Sequence, residues 1–249
     1  MELGERVALV TGAGHRVGRA IAVALGARGM RVAVHYNAAA DGARETLREI
    51  ERAGGSGAVF AADLTRADTP PRLVDAVMST FGGLHVLVNS AAVMVRTPFG
   101  DVEPKDWDSI MALNLRAPFL LAQAAAPHLR VARAKGGEGG VIVNIADLAA
   151  FETWPAYIPH GLSKAGIVYM TRALARVLAP DVRVAGVAPG TVLLPDDWSD
   201  DDAERLRRTT PLERTGSPSD VTSTVLFILE SEYLTGETII VDGGRHVRK

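Results

Sequence analysis

The chain has 249 residues, 47 % of them hydrophobic, so it can bury a sizeable core as one large α/β domain or two small ones, and global disorder is excluded. Lys and Arg number 27 against 29 Asp and Glu, a net charge of -2 that leaves no basic footprint for DNA or RNA. With no cysteine, disulfides, thiolate catalysis and Cys-ligated metal centres are all excluded.

Residues 1–6 are charged, and only four apolar residues follow them, too few for a secretory signal. No run approaches the roughly 18 apolar residues of a membrane span. The expectation is a soluble, cytoplasmic protein that acts on small molecules, with no nucleic-acid or membrane partner and no metal site.

Short runs rich in Val, Ile and Leu read as buried strands at 6–10, 31–35, 58–61, 84–88, 141–145, 182–187 and 238–241. Helical patterns fall between them at 17–28, 40–53, 72–80, 107–134, 163–178 and 218–229. Strict alternation of strand and helix predicts βαβ units, hence a parallel sheet covered by helices on both faces. The glycine-rich 136–140 stretch reads as a loop rather than a domain boundary. Residues 189–218, acidic at Asp196-Asp197 and Asp200-Asp201-Asp202, read as a long irregular segment of the kind that forms a lid.

Thr11-Gly12-Ala13-Gly14-His15-Arg16-Val17-Gly18 follows the first strand and opens the first helix. Gly12, Gly14 and Gly18 would let the backbone turn sharply and approach a pyrophosphate, which then rests on the helix N-terminus.

Six further marks follow in order: Asp63-Leu64 after the third strand, Asn89-Ser90-Ala91 after the fourth, then Asn114, Lys164, Pro189-Gly190 and Asp242-Gly243-Gly244. With the loop, they make the whole chain resemble the short-chain dehydrogenase/reductase family. The resemblance implies a single Rossmann-type domain over 1–249 with a doubly wound, seven-stranded parallel sheet, and a homotetramer. It also implies that Asp63-Leu64 meets the adenine, that Asn89, Ser90 and Ala91 lie along the adenine-side ribose, that Lys164 holds the nicotinamide ribose, and that Pro189, Gly190 and Val192 meet the carboxamide. Arg16, where the family's loop has its second glycine, and His35-Tyr36-Asn37 at the end of strand two resemble the pteridine reductases, in which such an arginine faces both cofactor and pterin.

Strand two ends in His35, Tyr36 and Asn37, with no carboxylate until Asp41. A ribose 2′-phosphate meets no acidic side chain there, and His15 and Arg16 add donors, so NADPH is expected. Pairing of Arg16 with Asp41 is the bland alternative.

The family's proton donor is the tyrosine of Tyr-x-x-x-Lys. Here the residue four before Lys164 is His160; Tyr157 is misplaced, with Pro159 between. The usual serine is Asp147, as in pteridine reductases. Imidazole titrates near neutrality, which suits a general acid. His160 is then a working acid, a minor partner of Asp147, or the mark of a disabled site, with Asn114 and Lys164 supporting a water relay. Arg16, Met94, Asp147, Tyr157 and His160 are the candidate substrate contacts. Met94 stands where a pteridine reductase has an aromatic plate, and either touches the substrate through its sulfur or only packs. Trp154, Tyr157 and Trp198 offer aromatic surface or core. The leading expectation is an NADPH-dependent reductase of a pterin or dihydrofolate C=N bond. The alternatives are a ketone or sugar reductase and a non-catalytic NADPH-binding protein.

Overall fold

A computed structural model describes residues 2–134, 139–194 and 199–247. Among these residues, seven strands and eight α-helices follow in the order β1 (Val7–Val10), α1 (Arg16–Gly26), β2 (Arg31–Tyr36), α2 (Ala40–Arg52), β3 (Ser56–Ala61), α3 (Thr69–Phe81), β4 (Val86–Asn89), α4 (Pro104–Met111), α5 (Ala117–Ala134), β5 (Gly140–Ile145), α6 (Ile158–Leu178), β6 (Val182–Pro189), α7 (Asp200–Thr209), α8 (Pro218–Glu230) and β7 (Thr238–Val241). The strands form one sheet in the order β3-β2-β1-β4-β5-β6-β7, and every pairing is parallel.

The central strands are nearly all apolar because both faces are covered; Asn89 and Asn144, near the carboxyl ends of β4 and β5, are the exceptions in those two. Ala8, Val10, Val86, Val88, Val141 and Val143 pack against Ile21 and Leu25 of α1, Ile50 of α2 and Val225 and Ile228 of α8. Their alternates Val7, Leu9, Leu87, Ile142 and Val184 pack against Leu73 and Val77 of α3, Leu121 and Leu129 of α5 and Leu178 of α6. The two-residue period of a strand thus feeds two cores at once.

Three departures from the sequence reading have local causes. The helix expected at 107–134 is α4 and α5 joined through a π-helical turn, Ala112–Arg116, which carries Asn114. Helix α6 begins five residues earlier than expected, because Pro159 sits in its first turn, where a missing N–H costs nothing. Residues 189–218 are not irregular throughout: α7 starts on a capping box in which Ser199 and Asp202 exchange side-chain-to-backbone bonds. Among the described residues no helix is long and apolar enough to cross a membrane, and no cluster of His, Asp and Glu could hold a metal ion. Trp198, the Asp196-Asp197 pair and most of the 136–140 loop lie outside the described residues.

Candidate active site

A cleft of about 850 Å³ opens at the carboxyl ends of the strands. It lies where chain order reverses: β1 is flanked by β2 on one side and β4 on the other, so the loops leaving β1 and β4 diverge and expose a crevice. Gly12, Gly14, His15, Arg16, Val17 and Gly18 line one end, with His35, Tyr36, Asn37 and Leu64 beside them. Ser90, Ala91 and Met94 continue the wall to Asp147, Tyr157, His160 and Lys164, and Pro189, Gly190 and Val192 close it. Most of the residues singled out in the sequence therefore share one cavity.

The phosphate loop is shaped by close backbone approaches. Gly12 has a φ of 66°, and a Cβ there would stand 2.8 Å from the Cα of Ala91; one on Gly18 would stand 2.3 Å from the carbonyl of Gly12. Thr11 fastens the loop from below, its hydroxyl accepting from the N–H groups of Ser90 and Ala91, both at 3.0 Å. Above it, α1 opens at His15 with no side-chain cap and no acidic residue in its first turn, so its free N–H groups and positive dipole end face the cleft.

His35 lines the cleft and is also built into its scaffold. It is buried, accepts from the Gly12 N–H through Nδ1 at 3.1 Å, and so donates through Nε2 to the Ala62 carbonyl at 3.0 Å. Both nitrogens are committed, and the ring is a clamp between the phosphate loop and the end of β3. Burial drives its pKa down to about 4, against the carbonyl bond, which favours the charged form. Arg16 lies exposed at the mouth with a φ of 50°, the left-handed conformation that suits the glycine it replaces. Its Nη2 donates to the Leu193 carbonyl at 3.1 Å, whereas Asp41 pairs with Arg44 at 2.7 Å.

Three other marks stand behind the wall rather than on it. The carboxylate of Asp63 accepts from Thr65, which holds its pKa below the usual range. Asn89 donates to Asn144, which donates to Thr171 on α6, tying β4, β5 and α6 into a buried polar chain. Asn114 accepts from the Val93 N–H and donates to the Val93 carbonyl and the Ser163 hydroxyl. Its amide thus holds the loop after β4 against α6.

At the far end, His160 is 2 % exposed and its Nε2 stands 3.6 Å from Oδ2 of Asp147, without a hydrogen-bond partner among the described residues. Its Nδ1 lies 3.2 Å from the Val93 carbonyl and 3.4 Å from the Asn114 amide nitrogen. If Nδ1 donates to Val93, the Nε2 lone pair faces the carboxylate; if Nδ1 accepts from Asn114, the Nε2–H points toward Asp147. Asp147 is held in place by the Ala149 N–H on Oδ1, and Lys164 by donation to the Ile145 carbonyl at 2.9 Å. Burial lowers the pKa of Lys164, and the Asp147 carboxylate works against that shift. Tyr157 caps α6 from outside and packs edge-on against Trp154, so it lines the cleft but stands outside the helical face of His160 and Lys164.

Sequence reasoning missed Leu193 on the cofactor side, and Thr153 and Arg245 on the other. It placed Thr11 in the loop without its fastening role, and nothing local flags Arg245.

A doubly wound sheet with an uncapped glycine-rich helix start and a buried lysine in the same crevice defines a dinucleotide-binding oxidoreductase. The chain belongs to the short-chain dehydrogenase/reductase family. Residues 12–246 match the family described as enoyl-(acyl carrier protein) reductase. The chain is 32 % identical to the 3-oxoacyl-(acyl-carrier-protein) reductase of Staphylococcus aureus over 96 % of this chain and 98 % of that one. A dehydrogenase/reductase from Sinorhizobium meliloti 1021 superposes with a TM-score of 0.90 at 32 % identity, covering 98 % and 97 % of the two chains. An NADH-dependent reductase of alginate metabolism superposes at 0.88 and 28 % identity, covering 98 % of each.

Proposed function

We propose that the chain is an NADPH-dependent reductase of a small-molecule carbonyl, with His160 and Asp147 supplying the proton. The observation that carries this reading is the pairing, in one cleft, of an uncapped helix start with His160 set against Asp147 at the opposite end. The residues present fit a dinucleotide: the N–H groups opening α1 would take the pyrophosphate, Leu64 and Ser90 would flank the adenosine half, and Lys164 would hold the nicotinamide ribose. Arg16 and Asn37 would face the 2′-phosphate, since Asp41 is turned to Arg44. The bound cofactor would supply the hydride. Lys164, beside Asp147, steadies the carboxylate; Asp147 orients the imidazole; and the pair delivers its proton to the substrate heteroatom as negative charge develops there. Asn114 positions His160 through Val93.

A ketone or related carbonyl is favoured over a pterin because Met94, 48 % exposed, offers no aromatic plate, and because the staphylococcal relative is by name a 3-oxoacyl reductase. The pteridine-type reading, reduction of a C=N bond in a pterin or dihydrofolate, is carried by Arg16 and Asp147 together on the cleft wall. The test is a panel of 3-oxo esters, simple ketones, pterins and dihydrofolate with NADPH, on wild type, His160→Phe, Asp147→Asn and His160→Tyr. Each loss of a donor is expected to cost about 100-fold in turnover, and the tyrosine to retain it. Unchanged turnover in both His160→Phe and Asp147→Asn sinks the proton assignment; NADPH binding with no oxidation across the panel supports a non-catalytic binding protein.

The assembly is proposed as a homotetramer. The outer faces of α5 and α6 leave Phe119, Val131, Tyr169 and Val177 exposed, at 48, 46, 75 and 67 %, and two such helices make a self-complementary surface around a two-fold axis.

A further inference from the structure

Past the last sequence mark, the 3-10 turn Arg245–Val247 sends one guanidinium into the far end of the cleft. The side chain of Arg245 is only 16 % exposed, and its Cζ stands 5.8 Å above the ring of Trp154. Glu152 stands 3.6 Å from its Nε and accepts from the Trp154 indole N–H at 3.1 Å, so it holds both partners of the stack. Yet the donors themselves are poorly matched: Nε is buried without a hydrogen-bond partner among the described residues, and Nη1 reaches the Thr191 hydroxyl only at 3.5 Å. A guanidinium carries five N–H donors in a planar fork; here Nε is turned to Glu152, and the Nη edge meets the Thr191 hydroxyl only at that long distance.

We propose that Arg245 anchors a carboxylate carried by the substrate, with the face of Trp154 receiving the planar or apolar body next to it. The fork matches a carboxylate edge-on, with two parallel N–H···O bonds. A monoanion suits the subsite better than a phosphate, because Glu152 already offsets one unit of charge and a dianion would be repelled by it. Trp154 is itself fixed from the side by Tyr157, with ring centroids 6.3 Å apart and planes at 78°, so the floor of the subsite is rigid. The inference deepens the reductase reading of this cleft and rests on it for the substrate's chemistry, but its binding test stands apart from turnover.

The probes are benzoate and benzamide, nearly equal in shape and differing in charge, titrated calorimetrically into the protein with NADP⁺ present and absent. Wild type is expected to bind benzoate about tenfold more tightly than benzamide. Arg245→Gln is expected to bring the two within about twofold while leaving benzamide binding and the melting temperature in place, and Arg245→Lys to keep part of the preference. No preference for benzoate in wild type overturns the proposal whatever the variants do. So does an Arg245→Gln that weakens both probes alike and melts earlier, which would make Arg245 a staple for the C-terminal turn. The kinetic arm compares 4-carboxybenzaldehyde with its methyl ester. If neither is reduced while the benzoate preference holds, the reductase reading fails and the subsite stands; if both are reduced equally well, the subsite plays no part in selection.

Discussion

Two residues carry more than their place in the sequence shows. His35 is legible as a cofactor-side residue from its place at the end of β2, and its two hydrogen bonds also make it part of the scaffold. That has a measurable signature. The folded pKa, about 4, lies below the value of 6.5 it has when unfolded, so the unfolded chain binds the extra proton between those values. Its contribution is complete above pH 6.5 and is lost as pH falls toward 4, a change of about 3 kcal/mol. Urea unfolding across that range is expected to show the loss, and His35→Gln to flatten it; an unaltered slope in the variant rejects the assignment. Arg16 was legible by its identity alone, but not its left-handed backbone, which only the fold imposes. Arg16→Gly is expected to stabilise the protein by up to about 1 kcal/mol, by relieving that conformation. The same change is expected to erase a preference for NADPH over NADH of about tenfold, equivalent to 1.4 kcal/mol. Equal affinities for both cofactors in wild type would remove Arg16 from the phosphate site.

Elements were read well where the apolar period was strong and poorly where charge or proline hid the helix. Helix α7 buries only Leu206 among ten residues, so periodicity had nothing to detect; its signal was the Ser199-to-Asp202 cap, which needs a different search. The π turn left no trace in the pattern, since the apolar stripe continues through it from α4 to α5. Nor did sequence spacing reveal how α8 ends. Arg183, on β6, donates to the carbonyls of Ile228, Leu229 and Leu234, meeting the helix's last acceptors with a positive charge. Arg183→Met is expected to lower unfolding free energy by about 2 kcal/mol, read by denaturant titration, with cofactor affinity unaltered because the residue is remote from the cleft. A variant as stable as wild type would show the cap to be dispensable.

For the molecule as a whole, alternation of elements and the ordered marks were enough to foresee the seven-stranded parallel sheet and the end of it that carries the crevice. What could not be foreseen is the part of the wall made by packing alone: Arg245 and Trp154 come together from segments 91 positions apart (245 − 154), with no pattern linking them. Assembly is a prediction at this scale. Light scattering at micromolar protein is expected to give four times the mass of the 26.3 kDa chain, and Tyr169→Arg with Val177→Arg to give a smaller species. A monomeric wild type rejects the two-fold surface on α5 and α6.

One hydroxyl sets how this crevice can behave in time. Thr11, at the end of β1, receives two N–H groups from the loop after β4, so the two lips that diverge at the point of reversal are laced together at their base. At that base the loops after β1 and β4 cannot part without breaking both bonds. Whatever ordering those bonds impose has its entropy lost during folding rather than on binding. We expect any movement that admits a ligand to fall at the outer rim, where the exposed Arg16 donates to the Leu193 carbonyl, rather than at this laced base.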